Sequence, residues 1–567
     1  MNPFSLTKPY LSVHKHRIIA YIIIGTFVGL LAMLNPYLIG DFIDSLIEGG
    51  NMVAVFRFSA LFAGLNIIRT TLNYFTMILY IKIQTKSAHQ FTQETVAHVQ
   101  KVSLSFVNDK DTSYLSQVIN GDTNQLVIFC IKTMSDFVLN IINIAIPIII
   151  LLSLNAFVSG VMIAFLGAYV LIYIKFRKPL RERSMALRIA QNNFFAKLLE
   201  QLKLTRFIKV HVLSDFFRRR LDENFNDLLD NSLRMQRLSF AYHALDNAVT
   251  TIVQIILFLV GGWLILQGSF TIGMFTIFSM YFAMILGATK YFFGFGKTYQ
   301  DSLVSCERLN EILRYPVETK GDKQLQGIER IEVKGLCFSY SSANGNGNGA
   351  SSVLDSKPSL INELNLDFRK GHICAIAGHN GAGKSTLINL LMGMYIDEIE
   401  GGIYINGISI KELDMPALRK RHIGIAEQEP VILSESIEFN INLASTTDRF
   451  EGSSDTESIM EYPHNHFLNR HLEILNLKEL VNKGHEGDRV SQSPNNFSGG
   501  EKQKLAILRV LLKDPDVMIF DEPTSAMDTA SATKFMEHLH EAKHNKIIFV
   551  ITHDEKFINH CDRVVVL

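Results

Sequence analysis

Charge is what this 567-residue chain has least of. Asp, Glu, Lys and Arg together make up 19% of it, against roughly 25% in a typical soluble protein. Hydrophobic residues reach 48% and mean hydropathy is +0.17. A chain this apolar is not disordered, and part of it is expected in lipid. Net charge is missing too: 55 basic residues cancel 55 acidic ones, which removes bulk attraction to nucleic acid as an argument. Cysteines are few and scattered (Cys130, Cys306, Cys337, Cys374, Cys561), with no CxxC pair, so neither a metal centre nor a disulfide framework is expected. No cleavable signal peptide is expected either, because the first apolar run, Ile18–Gly40, has the length of a full span.

Several stretches without charge are long enough to cross ~30 Å of hydrocarbon as helices. Ile18–Gly40 carries none, and Phe58–Ile81 carries only Arg69. Phe137–Ile174 suits two spans with a turn at Ser153–Ala156, and Asn247–Thr289 suits two more, broken at LQGSFTIG. Six spans are predicted. The outer connections, Asp41–Val55, Ser153–Ala156 and Gln267–Thr271, hold no Lys or Arg, whereas Lys8, Lys15, Arg17, Lys82–Lys110 and Lys175–Arg237 are basic and lie on the other side. The positive-inside rule then puts both termini in the cytoplasm. The two long inner connections have helical periodicity and read as helices continuing beyond the membrane.

After Lys297 the character changes. SCERLNEILRYPVETKGDKQ reads as a last amphipathic helix followed by a linker, so a membrane domain is placed at 1–320 and a soluble domain at 321–567. Beyond the linker, the alternating Ile328–Val333 and the mostly apolar Ile373–Ala377, Val517–Phe520 and Lys546–Ile551 interleave with helices, the pattern of a largely parallel α/β sheet. GNGNGASS (345–352) reads as a surface insertion.

The strand ICAIA runs into Gly378, His379, Asn380, Gly381, Ala382, Gly383, Lys384, Ser385 and Thr386, then into the helical LINLLMG. This is GxxxxGK[ST] between strand and helix, the context in which backbone N–H groups and a helix N-terminus cradle phosphates. Lys384 is suited to the β/γ oxygens and Ser385 to Mg²⁺. Downstream, the apolar VMIF ends in Asp521 and Glu522, carboxylates at the C-terminal end of a buried parallel strand. Asp521 is suited to Mg²⁺, Glu522 to polarising an attacking water.

Between these motifs lies Phe497-Ser498-Gly499-Gly500-Glu501, followed by LAILRVLLKDPDVMIFDEPTSAMD. This block closely resembles the signature-to-D-loop region of ATP-binding cassette (ABC) proteins. With six preceding helices, nearly the whole chain looks like an ABC exporter-type half-transporter: an all-α six-helix transmembrane domain followed by an α/β P-loop ATPase domain. The resemblance implies ATP and Mg²⁺ as cofactors. It implies that Gln428 touches Mg²⁺ and water, that His553 contacts the γ-phosphate, that Asp528 is the D-loop aspartate, and that Tyr340 stacks on adenine. It also implies that Ser498, Gly499 and Gly500 meet the γ-phosphate in a second cassette, since the signature does not reach its own P-loop in this family. The usual Leu-Ser-Gly-Gly-Gln ends here in Glu501, a carboxylate that would oppose anion binding; a tuned site is expected. With RVVVL at its end and few residues ahead of Ile18, neither a long C-terminal extension nor an N-terminal peptidase domain is expected.

Function then needs two half-transporters, a homodimer in preference to a heterodimer because one chain holds every motif. Segments resembling coupling helices are Ser105–Leu126 and Ile208–Phe225. Arg69, Asn73, Asp136, Asn140, Asn143, Asp246, Asn247 and Lys290 fall within or beside spans and are candidates for lining a cavity; their mixed signs suit an amphipathic or peptide-like substrate. The reading is an ATP-driven exporter of a peptide, drug-like or lipid-like molecule in a bacterial plasma membrane, with no nucleic-acid partner. An importer on the same fold and an ATP-gated channel are the alternatives.

Overall fold

The computed structural model describes residues 2–49, 51–110, 112–340, 360–433, 435, 437–443, 465–478, 497–525 and 527–567. They fall into two units: Met1–Val96 with Ser116–Leu313, and Ala97–Leu115 with Arg314–Leu567.

The first unit is helical. Its elements are α1 (Pro3–Ser12), α2 (Lys15–Ile47) and most of α3 (Met52–Val99). A π-helical turn (Val118–Asp122) then leads into α6 (Thr123–Leu154), followed by α7 (Ala156–Lys203), α8 (Thr205–Val210), α9 (Ser214–Leu266) and α10 (Ile272–Arg314); the short α4 (Leu104–Asp109) and α5 (Thr112–Gln117) stand between α3 and the π turn. Six stretches are long and apolar enough to cross a membrane: α2, α3, Tyr114–Leu154, α7, α9 and α10. Large apolar side chains such as Ile23, Phe75, Ile149, Leu171 and Phe258 stand exposed along them, a surface that suits hydrocarbon and not water. The inner face is built around Met33, Leu151, Tyr169, Leu257, Phe278 and Tyr281.

Both turns expected between paired spans occur. Asn155 caps α7 by accepting from the Val158 N–H at 3.1 Å. At the second turn Asp44 of α2 accepts from Thr271 Oγ1 (2.6 Å) and from the Gly273 N–H (2.7 Å), closing the start of α10. One expectation is corrected. The amphipathic stretch after Lys297 is not a separate helix, because α10 runs unbroken to Arg314. The change of composition marks where the helix leaves lipid for water, and nothing in the sequence there breaks the i→i−4 ladder.

The second unit holds two sheets. The strands β3 (His372–Ala377), β6 (Ile423–Ala426), β7 (Val517–Asp521), β8 (Ile547–Ile551) and β9 (Arg563–Val566) form a parallel sheet in the order β6-β7-β8-β3-β9. β8 is buried throughout and β7 along all but its last residue, since helices cover both faces. β1 (Arg330–Phe338), β2 (Ile361–Arg369), β4 (Glu400–Ile405) and β5 (Ile408–Ser409) form a separate antiparallel sheet in the order β2-β1-β4-β5. Ile328–Val333, read from sequence with the parallel strands, therefore belongs elsewhere. Its alternation is that of a strand with one face packed, here by Ile331, Val333, Leu336 and Phe338. The helices of this unit are α11 (Lys384–Leu391), α12 (Met415–Arg421), α13 (Ile437–Asn442), α14 (Asn465–Ile474), α15 (Gly499–Lys513), α16 (Thr529–Ala542) and α17 (Glu555–Ile558). The GNGNGASS insertion lies outside the described residues.

Candidate nucleotide site

The parallel sheet carries the site at the C-terminal ends of its strands. β3 delivers the loop from Gly378 to Gly383, and α11 begins at Lys384. Gly381 (φ +85°) and Gly383 (φ +94°) occupy left-handed backbone conformations, and a Cβ on Gly383 would stand 3.3 Å from Leu360. The His379 carbonyl accepts from the Ala382 N–H at 3.1 Å, which curls the loop, while Asn380 and Ser385 stay exposed. Lys384 Nζ donates to the Gly378 (2.9 Å) and His379 (3.1 Å) carbonyls, so the ammonium lies within the loop's own cradle.

β7 ends in the acid pair. Asp521 lies near Ser385; burial, then the neighbouring Glu522 carboxylate, pushes its carboxyl above the usual range. Glu522 has φ +47°, uncommon for a residue with a side chain, and the turn is held by its N–H on the Ile551 carbonyl (2.8 Å) and by Gln503 Nε2 on its own carbonyl (2.6 Å). Its carboxylate accepts from Gln428 Nε2 at 2.9 Å and stands 3.8 Å from His553 Nε2. Lys384, Ser385, Gln428, Asp521, Glu522 and His553 are thus drawn together from strands β3, β6, β7 and β8. Gln503 was missed at the level of sequence. It is 4% exposed, and its Oε1 accepts from Ser525 Oγ at 3.1 Å, so it fixes the Glu522 turn from behind. Its spacing of two residues from Glu501 on α15 is the only local signal.

Other predicted residues stand apart from this group. Ser498, Gly499 and Gly500 open α15, where Ser498 forms a capping box with Glu501. Both the Ser498 N–H and its hydroxyl donate to Glu501 Oε2 at 2.8 Å, and among the described residues Ser498 makes no hydrogen bond to residues 378–386. Asp528 caps α16 by accepting from the N–H (3.2 Å) and hydroxyl (2.6 Å) of Ser531; these hydrogen bonds hold its carboxyl below the usual range. Tyr340 exchanges a hydrogen bond with Thr386 at 2.8 Å and keeps its ring half exposed. Serine hydroxyl, carboxylate and amide oxygens are the hard donors that suit Mg²⁺, which takes only one or two protein carboxylates besides phosphate oxygens. No group of three or more His, Cys, Asp or Glu placed to hold a metal ion occurs among the described residues, so a cage made wholly of protein is not the arrangement present.

Residues 361–525 match the family model described as ABC transporter, and residues 18–289 match the one described as ABC transporter transmembrane region. The chain belongs to the ABC transporters. It is an exporter-type half-transporter, a multi-pass membrane protein whose cassette is an ATPase coupled to transport. Along 578 residues it is 26% identical to the candidate multidrug export ATP-binding/permease protein YgaD of Bacillus subtilis (strain 168), covering 99% of this chain and 93% of that one. A similarly named protein of Staphylococcus aureus (strain NCTC 8325 / PS 47) is 28% identical over 576 residues, with the same coverage. Its fold is that of a bacterial Atm1-family ABC exporter solved with ATP bound, at a TM-score of 0.78 and 18% identity over 98% of this chain and 94% of that one.

In the membrane unit of this ABC transporter, two of the polar candidates neutralise each other. Lys290 Nζ stands 2.8 Å from Asp246, which is 4% exposed. Asn140 turns back on its own helix, donating to the Asp136 carbonyl at 2.7 Å. Arg69 is half-buried and Asn73 exposed. Of the segments resembling coupling helices, Ser105–Leu126 runs through α4, α5 and the π turn, and Ile208–Phe225 spans the end of α8 and the start of α9.

Proposed function

We propose that two copies of this chain form an ATP-driven exporter of drug-like, peptide-like or lipid-like amphipathic molecules across a bacterial plasma membrane, with both termini in the cytoplasm. Membrane passage is assigned to residues 1–320 and ATP chemistry to 321–567. The observation that carries the reading is the Glu522 carboxylate, held between Gln428 at 2.9 Å and His553 at 3.8 Å on a backbone with φ +47°. A carboxylate fixed in this way is oriented to accept a proton from an attacking water, with Gln428 donating to its second oxygen. His553 stands where it can donate to the γ-phosphate, and Lys384 neutralises charge on the transferred group. Mg²⁺, held by Ser385, Asp521 and Gln428, would screen the phosphate oxygens during transfer. Tyr340 stacks on the base. Ser498, Gly499 and Gly500 complete the site of the partner copy; one chain that holds every motif supports a homodimer.

The outer connections without Lys or Arg support the orientation, and the relatives named for multidrug export support a drug-like cargo. The test is ATP hydrolysis by this chain alone in lipid nanodiscs beside Glu522→Gln. Removing a general base costs on the order of 10²–10⁴ in rate, so turnover is expected to collapse in the variant while ATP binding survives. A well-folded dimer of the natural chain that hydrolyses no ATP would overturn the homodimer.

A further inference from the structure

Two tyrosines stand between α4 and the phosphate loop. In space α4 belongs to the catalytic unit. Leu104 packs on that unit's core, Phe106 lies 4.4 Å from the Tyr315 ring, and the Lys101 carbonyl accepts from the Glu318 N–H at 2.8 Å. Near the end of α4, Asn108 Nδ2 donates to the Tyr395 hydroxyl at 3.4 Å. Tyr395 follows α11 and is 2% exposed. Its ring meets Tyr340 edge-on at 5.9 Å between centroids, and both rings rest on Phe338, at 5.3 Å and 5.0 Å. The Tyr340 hydroxyl lies near that of Tyr395 and exchanges its own hydrogen bond with Thr386.

The hydroxyl of Tyr395 is the informative group. A phenylalanine would fill the same volume, and a buried hydroxyl left without partners is destabilising. Here Asn108 donates to it on one side, and the Tyr340 hydroxyl lies near it on the other. The polar path therefore runs Asn108, Tyr395, Tyr340, Thr386, and ends one residue beyond Ser385.

We propose that Tyr395 is a positioning residue that couples α4 to the base-binding face of Tyr340, so that displacement of Asn108 weakens the hold on the adenine end of ATP. The proposal rests on the reading of Tyr340 as the side chain that stacks on the base. Coupling between sites is reciprocal, so nucleotide that orders Tyr340 also favours the docked position of α4.

The test is equilibrium binding by the full chain in nanodiscs, with ATP and with inorganic tripolyphosphate, which engages the phosphate loop without a base. Tyr395→Phe and Asn108→Ala are each expected to raise the ATP dissociation constant on the order of threefold to tenfold, the worth of one net hydrogen bond. Tripolyphosphate binding should not move, and the double variant should match the singles. An unchanged ATP constant in either variant, an equal loss with tripolyphosphate, or additive losses in the double variant would each overturn the coupling. Tyr340→Ala separates the two readings. If it leaves ATP binding intact, base stacking itself fails; if it weakens ATP while Tyr395→Phe does not, stacking stands and the coupling is wrong.

Discussion

Glu501→Gln should make this transporter less stable and hungrier for ATP. Glu501 Oε2 takes both the N–H and the hydroxyl of Ser498 at 2.8 Å, the donors assigned to the partner's γ-phosphate. To bind phosphate, Ser498 must give up both bonds beside a carboxylate of the same sign. Hydrogen bonds to an ionised acceptor are roughly twice as strong as neutral ones. For two exposed bonds the change to an amide is worth about 1 kcal/mol, which is about fivefold in ATP concentration at half-saturation. The same substitution removes a carboxylate from the first turn of α15, a loss of about 0.3–1 kcal/mol against the helix dipole. Hydrolysis measured against ATP concentration, with a thermal melt of the same sample, reads both. A half-saturating ATP concentration that stays put or rises would refute the reasoning, since a merely structural lesion worsens affinity and stability together.

Two further outcomes follow from packing and titration. Burial, then the charges of His471 and Arg470, lowers the His538 pKa from 6.5 to about 4; Glu541 and Asp514 oppose this, and His538 Nε2 lies 3.2 Å from His471 Nε2. Because the native value is depressed, the unfolded chain takes the proton first. Stability is therefore complete above pH 6.5 and lost as pH falls towards 4, by at most about 3 kcal/mol. Melts at pH 7.5 and pH 5 should show this loss, and His538→Gln should remove most of it; an equal slope in both would count against the assignment. In the membrane unit, Gly273→Ala would set a Cβ 2.1 Å from the Gly40 carbonyl oxygen and 2.3 Å from Asp44 Oδ2. Overpacking of this kind costs about 1–3 kcal/mol, so the inactivation temperature should fall clearly below that of Gly262→Ala, whose Cβ meets open space. Equal temperatures for the two variants would contradict it.

Much of the architecture was legible because local signals carry it. Uncharged runs of span length find the six long helices, the Asn155 turn and the break at Gln267–Thr271 mark where paired spans meet, and the GxxxxGKS string carries its own strand-to-helix context. What failed was what local signals do not contain. The alternating residues after Ile328 show a strand with one packed face, but nothing in them names the sheet it joins. The basic and acidic residues after Lys297 show a helix entering water, which resembles a new helix when only composition is read. The contacts of Gln503 with Glu522 and Ser525 bridge 19 and 22 residues, and that of Asn108 with Tyr395 bridges 287. No window along the chain holds both ends of either.

The docking of Ala97–Leu115 on the catalytic unit bears on how such chains can be exchanged. Residue 320 looks like a seam at which one cassette could be replaced by another. Yet beyond residue 320 the core on which Leu104 packs and the Tyr395 hydroxyl that Asn108 meets form a face fitted to a segment encoded more than two hundred residues earlier. A recombination at 320 would deliver a cassette whose face meets a stranger's loop. The two halves are heritable as a pair, and a successful graft would have to carry its own residues 97–115 with it.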